Sequence, residues 1–571
     1  MGCTMKRISI FLAGLYGGLT TVVIIALTYL GSRLAGLPFI PFDIFDWMTR
    51  HLPGALINLT IDTMVRLITS LKLGPTASTA KLVENSIALV QFVIAGVVLG
   101  VILGIAGRRR PDRLVTYGAI AGLIVTILMV FIEVTYRFPA AGPFFSILWL
   151  ALVFIGEGTI LGRLILEQAP QVAIASLQPE MTPPIQGSPS LVKSVTPSST
   201  LRTSQPTLSR RQFLYLVGAG SFTVLVGAAG VRLLGQANAV PVTGAPTPTL
   251  DLSNINIHSG PAASPPQSVL DARFKPVAGT RAELTPNGQF YRIDINSDPP
   301  VIDASTWRLQ FEGLVDKPLS LSIGDISSRE SMTQAVTMSC ISNDIGGDLI
   351  GTTLWTGVPF KNILAEAGPK PGVQAINIKA VDGFYESVPL QEAMDGRTML
   401  VYKMNGQSLP VEHGFPLRIY IPNHYGMKQP KWITSMEATD HLGPGYWVDR
   451  GWSSTAYAQT TSVIDSVAVD EKDPNTGLVP VGGIAWAGAR GISKVEVQVD
   501  DGSWNMAELR NPPLSPLTWV QWRYFWKSSS GYHTFKVRAY DGSGALQVTN
   551  PKPTFPDGAT GIDEIAANLN N

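Results

Sequence analysis

A chain of 571 residues has room for roughly three or four domains, and its 45% hydrophobic content and mean hydropathy of +0.20 exceed what one soluble core needs. The formal net charge of +1 excludes a general electrostatic attraction to nucleic acid. Two cysteines, Cys3 and Cys340, exclude a disulfide framework, a zinc ribbon, an iron–sulfur cluster and a thiol-attached haem.

The apolar residues concentrate before residue 235. Residues 8–30, 87–106, 114–136, 144–161 and 213–234 form five runs, each close to the roughly 20 residues that cross a hydrocarbon layer. Residues 52–73 are interrupted by Asp62, Arg66 and Lys72 and read as an amphipathic interfacial or outer-loop helix, with a sixth span as the alternative. Lys6, Arg7, Arg108–Arg113, Arg163, Arg202, Arg210 and Arg211 all fall on one side if five spans start from an inner N-terminus. Everything after residue 234 is then extracytoplasmic, and the protein is a multi-pass protein of the cytoplasmic membrane. Ser209-Arg210-Arg211-Gln212-Phe213-Leu214 resembles a twin-arginine export signal retained as an anchor. Glu133 and Glu157 lie in or near spans, as functional groups or as interfacial carboxylates. His51 is the only histidine before residue 258, so a histidine pair for an intramembrane haem is absent.

The domain expectation is therefore a four-span region (1–166), a cytoplasmic linker (167–209), a signal-anchor span (210–236), an outer linker (237–270), an α+β domain (271–460) and an all-β domain (461–555). Both linkers are rich in Pro, Ser and Thr and lack helical periodicity. In the α+β domain, 307–314 and 376–381 read as strands and 355–367 as a helix. Residues 494–499 and 534–540 alternate with period two and end at Asp500-Asp501-Gly502 and Asp541-Gly542. With Trp519, Trp522 and Trp526 to fill a core, they predict an immunoglobulin-like sandwich of roughly seven strands.

The chemistry-bearing residues are few. Cys340 ends an apolar strand-like run and precedes Gly346-Gly347, a turn able to bring a thiolate to the floor of a cleft. Thiolate is a suitable ligand for a soft or high-valent metal. His413, Arg418, Lys428 and Lys431 surround a glycine-bearing loop, which is what an anionic cofactor phosphate requires, although surface salt bridges have the same composition.

Thr337 to Asn343 with Gly346-Gly347, then Trp355-Thr356-Gly357-Val358-Pro359, resembles the molybdenum-cysteine segment of the sulfite oxidase family. Asn405-Gly406-Gln407-Ser408-Leu409-Pro410, His413-Gly414-Phe415-Pro416, Arg418 and Lys431-Trp432 are similar to that family as well. So are residues 482–500 and 531–541 in the β-domain. The resemblance covers about residues 285–550 and implies a molybdenum centre held by one molybdopterin and one protein cysteine. It makes Cys340 the metal ligand, puts Arg292 at the mouth of the site, and makes Tyr291, Arg292, Asn343, Asp382, His413, Arg418, Lys428 and Lys431 cofactor contacts. This chain departs from the family at Ile345, where an arginine is usual, at Asp294, where a histidine is usual, and at Asp449, near a usual tyrosine. A site for a dianion needs dense positive charge, so these departures speak against sulfite.

The resemblance implies oxygen-atom transfer on a small-molecule substrate, with Cys340, Arg292 and Asp449 as catalytic candidates. Electrons would pass to or from an external cytochrome or quinone-linked protein, and the β-domain would offer a homodimer surface. A sulfoxide or methionine-sulfoxide reductase for envelope repair is the enzymatic alternative. A membrane-tethered, non-catalytic scaffold is the other.

Overall fold

In a hydrocarbon layer a backbone has no hydrogen-bonding partner but itself, so long apolar runs fold as helices. The computed structural model describes residues 8–136, 142–167 and 274–569. Six helices come first: α1 (Ile10–Ala35), α2 (Ile40–His51), α3 (Gly54–Ser70), α4 (Thr76–Gly107), α5 (Leu114–Tyr136) and α6 (Pro143–Leu166). Among the described residues α1, α4, α5 and α6 are long and apolar enough to cross a membrane. The expected run 213–234, its arginine pair, both linkers and Cys3 lie outside the described residues.

The described residues divide into two compact units, 8–44 with 87–136 and 142–167, and 45–86 with 274–569. In the first, glycines let helices touch backbone to backbone, the usual membrane packing. A Cβ on Gly118 or Gly122 of α5 would collide with the carbonyls of Gly158 and Phe154 on α6, and one on Gly17 of α1 with the Gly96 carbonyl on α4. Glu157 is buried within α6, where it accepts from the hydroxyls of Thr20 (3.3 Å) and Thr21 (3.0 Å) of α1. It is not the solvated interfacial carboxylate that was one of the two expectations.

The second unit begins within the N-terminal region. Helix α3 occupies the stretch expected to be amphipathic, and α4 starts at Thr76 instead of near residue 87. Its 32 residues make about 48 Å of helix, well beyond a hydrocarbon thickness of about 30 Å, and residues 76–86 belong to the second unit.

From residue 309 two five-stranded sheets form. One has the order β2 (Leu319–Leu321), β1 (Leu309–Gly313), β10 (Ile433–Thr439), β5 (Ala375–Ala380), β6 (Tyr385–Pro389), with β1 and β10 parallel. The other runs β3 (Met332–Ser339), β4 (Ile350–Pro359), β7 (Met399–Met404), β8 (Gln407–Ser408), with β9 (Arg418–Tyr420) on β7. Leu309, Phe311, Ile376 and Met436 pack against Phe360, Ile363 and Leu364 of α7 (Phe360–Ala367) in one core. The helix expected over 355–367 therefore starts only at Phe360. Trp355 to Pro359 remain in β4, paired with β7 across Thr356, Gly357 and Val358, and Pro359 stands at the helix N-cap.

The C-terminal part has two four-stranded antiparallel sheets. One is β11 (Thr461–Val467), β12 (Leu478–Trp486), β16 (Val520–Lys527), β15 (Glu508–Leu509). The other is β14 (Asn505–Met506), β13 (Ile492–Val499), β17 (Gly531–Asp541), β18 (Asp563–Leu569). Its last strand lies beyond the expected end at 555. Val481, Val495, Trp522, Phe535 and Val537 fill the core, with Trp526 against it. Trp519 is elsewhere: it packs with Ile341, Tyr425, Trp452 and Trp486 under the turn that follows Cys340.

Candidate functional site

Strand β3 is buried over its last six residues and delivers Cys340 to its end. The Cys340 N–H donates to the Leu349 carbonyl (2.9 Å), while the Asn343 side chain accepts from the Leu349 N–H (2.8 Å), closing the intervening loop. The thiol lies 3.1 Å from the Ser342 hydroxyl, is 9% exposed, and burial pushes its pKa up. A thiol so placed becomes a thiolate when a metal cation replaces its proton.

Cys340 lines a cavity with Tyr291, Arg292, Asp294, Asp382, His413, Arg418 and Lys431. Arg418 leaves β9 with its side chain buried. It donates to the His413 carbonyl (3.1 Å) and stacks on Trp355 (4.9 Å), but its Nε has no partner. Burial lowers its pKa to about 10. Burial, followed by the charges of Lys431 and Arg418, lowers His413 to about 3, so the imidazole is neutral at pH 7. Burial lowers Lys431 to about 8 against the opposing pull of Asp294. Burial alone would raise Asp294, yet Lys431, Lys81 and Arg292 hold it far below the carboxylate range. The Asp294 carboxylate is 2.6 Å from Arg292 Nε and 3.3 Å from Lys431 Nζ. Asp382 has the opposite fate: desolvation raises it to about 6, despite the hydrogen bond from the Phe384 N–H.

These residues fit an anionic cofactor carrying a metal. The unpartnered guanidinium nitrogen of Arg418 beside Lys431 and His413 suits a phosphate. Among the described residues no group of three or more His, Cys, Asp or Glu could hold a metal, so a metal at Cys340 must bring most of its ligands with it. Residues 296–447 match the family model described as the oxidoreductase molybdopterin binding domain.

This stretch is a molybdopterin-binding oxidoreductase domain of the sulfite oxidase type.

Its cofactor is molybdenum-molybdopterin. The chain is 27% identical over 300 residues to the mitochondrial sulfite oxidase of Rattus norvegicus, covering 45% of this chain and 55% of that protein. It is 30% identical over 260 residues to an NADPH nitrate reductase of Fusarium oxysporum, covering 37% and 29% of the two chains. A further 30% identity over 152 residues, 27% of this chain and 56% of the other, links it to YedZ1 of Azospira oryzae, named as a protein-methionine-sulfoxide reductase subunit. The chain thus spans less than two thirds of the length of each of these relatives.

Three expected site residues do not line the molybdopterin domain's cavity. Asn343 holds the loop after Cys340 as described. Lys428 forms a buried ion pair with Glu386 at 2.7 Å. Asp449 accepts the Tyr385 hydroxyl at 2.6 Å on an exposed turn. Ile345, at the family's arginine position, does not line it either. Several lining residues had not been anticipated: Trp447 and Trp452, Phe384, Met427, Ile61, Met64 and Val65 of α3, and Lys81 and Glu84 from the start of α4. The two tryptophans flank Asp449 in a segment already compared with the family. The residues of α3 and α4 are separated from Cys340 by more than 250 positions; amphipathicity of 52–73 was the sequence signal for Ile61, Met64 and Val65, and Lys81 and Glu84 lie outside that stretch.

Proposed function

We propose that this protein is a membrane-anchored molybdenum–pterin oxidoreductase that transfers an oxygen atom to or from a small polar substrate outside the cytoplasmic membrane. The observation that carries it is one cavity joining the Cys340 thiol to Arg418, His413 and Lys431. Bound molybdenum supplies the two-electron oxygen-transfer chemistry. The protein's part is to ligate through Cys340, to hold the pterin through His413, Arg418, Lys431 and Asp382, and to orient substrate through Tyr291 and Arg292. An external cytochrome or quinone-linked protein exchanges the electrons. Asp449, engaged with Tyr385, is left out of this machinery.

Sidedness is supported by a parity argument. Residues 45–86 and 274–569 belong to one unit, so they share a side of the membrane. Helices α4, α5 and α6 intervene on the chain, so a fourth crossing is required, and residues 213–234 are the apolar run that offers it. Arg108, Arg109 and Arg110 between α4 and α5 support an extracytoplasmic assignment of the shared side, because basic loops favour the cytoplasm.

Reduction of a sulfoxide, methionine sulfoxide included, is favoured over sulfite oxidation. The Asp294 carboxylate pairs with both Arg292 and Lys431 and offsets part of their charge, weakening the positive field that a dianion needs. The likeness to YedZ1 points the same way. The test is molybdenum and pterin analysis of purified full-length protein beside Cys340→Ser. About one of each per wild-type chain, with the metal lost or its spectrum altered in the variant, is the expected result. Metal-free wild type from molybdate-replete cells would overturn the reading and leave the scaffold alternative. Parallel assays with sulfite and with methyl sulfoxides decide between the two substrates.

A further inference from the structure

The segment between the first two apolar helices does more than connect them. Helix α2 ends, α3 runs its length and α4 begins within the unit that carries the molybdopterin domain, and polar groups tie them to that domain at four places. Asp46 accepts the backbone N–H (3.0 Å) and hydroxyl (2.8 Å) of Ser297. Arg50 donates to the Asn296 side chain (2.5 Å) and to the Asp382 carbonyl (2.8 Å). Asn58 donates to the Arg450 carbonyl (2.9 Å) and accepts from the Trp452 indole (3.0 Å). The Thr76 N–H donates to Asp348 (2.8 Å). Gly54 comes so close to Arg450 that an added Cβ would stand 2.9 Å from its Cα. Directional bonds to four separate loops describe a built joint, because each fixes a position and a buried group left unpaired would be costly.

At that joint Lys81 enters the ion cluster described above. Its ammonium has three donors and faces three acceptors: Glu84 at 2.9 Å, the Asn296 carbonyl at 2.5 Å and the Asp294 carboxylate at 3.5 Å. Asp294 is 1% exposed and is held from both sides, with Oδ1 toward Lys81 and Oδ2 toward Arg292 and Lys431. Removing Lys81 takes away one side of this clamp and leaves Glu84 without its cation, so Asp294, and with it Arg292 and Lys431, can turn. Next to Lys81, Ile61, Met64, Val65, Ala77 and Ala80 line the same cavity as Cys340. They are an apolar part of its lining.

We propose that this inter-span segment is part of the cofactor site: Lys81 is a positioning residue that sets the Asp294–Arg292–Lys431 cluster, and α3 with the start of α4 forms the apolar wall facing Cys340. The inference rests on the molybdopterin reading. It goes beyond it by making the site incomplete without a stretch of the N-terminal region, over 200 residues earlier in the chain.

The experiment uses full-length protein in detergent, as wild type, Lys81→Met, Lys81→Arg, Met64→Trp and, as a control on the exposed end of the same segment, Lys72→Met. Three quantities are read: molybdenum per chain, the rate at which fluorescent pterin is released on mild warming, and the Mo(V) electron paramagnetic resonance spectrum. Lys81→Met should release pterin about tenfold faster, the effect of losing about 1.4 kcal/mol of holding energy. Lys81→Arg, which keeps the charge, should restore most of the retention, and Lys72→Met should match wild type. Met64→Trp should keep its molybdenum but alter the Mo(V) line shape, because the wall beside the metal has moved in. Wild-type release from Lys81→Met together with a wild-type spectrum from Met64→Trp would overturn the inference while leaving the molybdenum site standing. If Lys81→Met does not fold, the Met64→Trp spectrum decides by itself. Wild type without molybdenum is a separate outcome, which removes the underlying reading.

Discussion

Replacing Lys428 by methionine separates a structural role from a cofactor role. Lys428 and Glu386 form an ion pair in which the side chains are 7% and 1% exposed. Burial raises the Glu386 carboxyl above its ordinary value of 4.5 even with Lys428 beside it, and its second oxygen has no hydrogen-bond partner. Without the cation, the least costly state of Glu386 in the folded chain is protonated. At pH 7 that costs about 1.4 kcal/mol for each pH unit above 4.5, or about 3 kcal/mol in all. A melting point lower by about 6–12 °C follows for a domain of this size. The sign is set by protons: Glu386 is protonated in the folded variant and ionised when unfolded, so stability falls as pH rises above 4.5. At pH 5 the penalty should shrink to under about 1 kcal/mol. Adding Glu386→Gln should recover most of the loss, since removing both partners leaves no buried charge. The assay is thermal unfolding of Lys428→Met and of the double variant at pH 5 and pH 7, with pterin counted per folded chain. Unchanged pterin is expected. Pterin lost at an unchanged melting point would refute the reasoning and make Lys428 a cofactor ligand.

In cofactor-free protein, His413 should confer acid lability. It is neutral when folded, with a pKa near 3, and takes up a proton when unfolded below about 6.5, so stability should fall by about 2 kcal/mol between pH 6.5 and 5. Denaturant titrations should show this slope flattened in His413→Gln. Trp522→Ala empties a fully buried site between the two C-terminal sheets and should cost about 3–5 kcal/mol in urea unfolding, without a direct effect on the metal. Asp449→Asn disturbs only the exposed bond to Tyr385, so its effect should stay below about 1 kcal/mol, with molybdenum content and turnover close to wild type.

Local patterns were legible wherever a residue's neighbours in sequence are also its neighbours in space. Helix α5 coincides with its hydropathy run, and the alternation of 494–499 and 534–540 falls inside β13 and β17. The strand-to-glycine turn at Cys340 and the basic loop at 413–431 were visible for the same reason, and they come together in one cavity. The helix expected from Trp355 failed because the packing of that stretch between β3 and β7 outweighs its helical spacing.

Sequence by itself determined the apolar runs, the strand-to-glycine turn that carries the Cys340 thiol and the cations that an anionic cofactor would meet, because composition and short-range order carry all three. Tertiary structure alone decided which cations are free to act. Lys428 and Lys431 are three residues apart, yet one is closed off by Glu386 and the other faces the cavity with Asp294. It also decided that Lys81 stands beside Asp294, more than 200 positions later. No local pattern encodes either partner, since both depend on how distant segments pack and on which charges that packing removes from water.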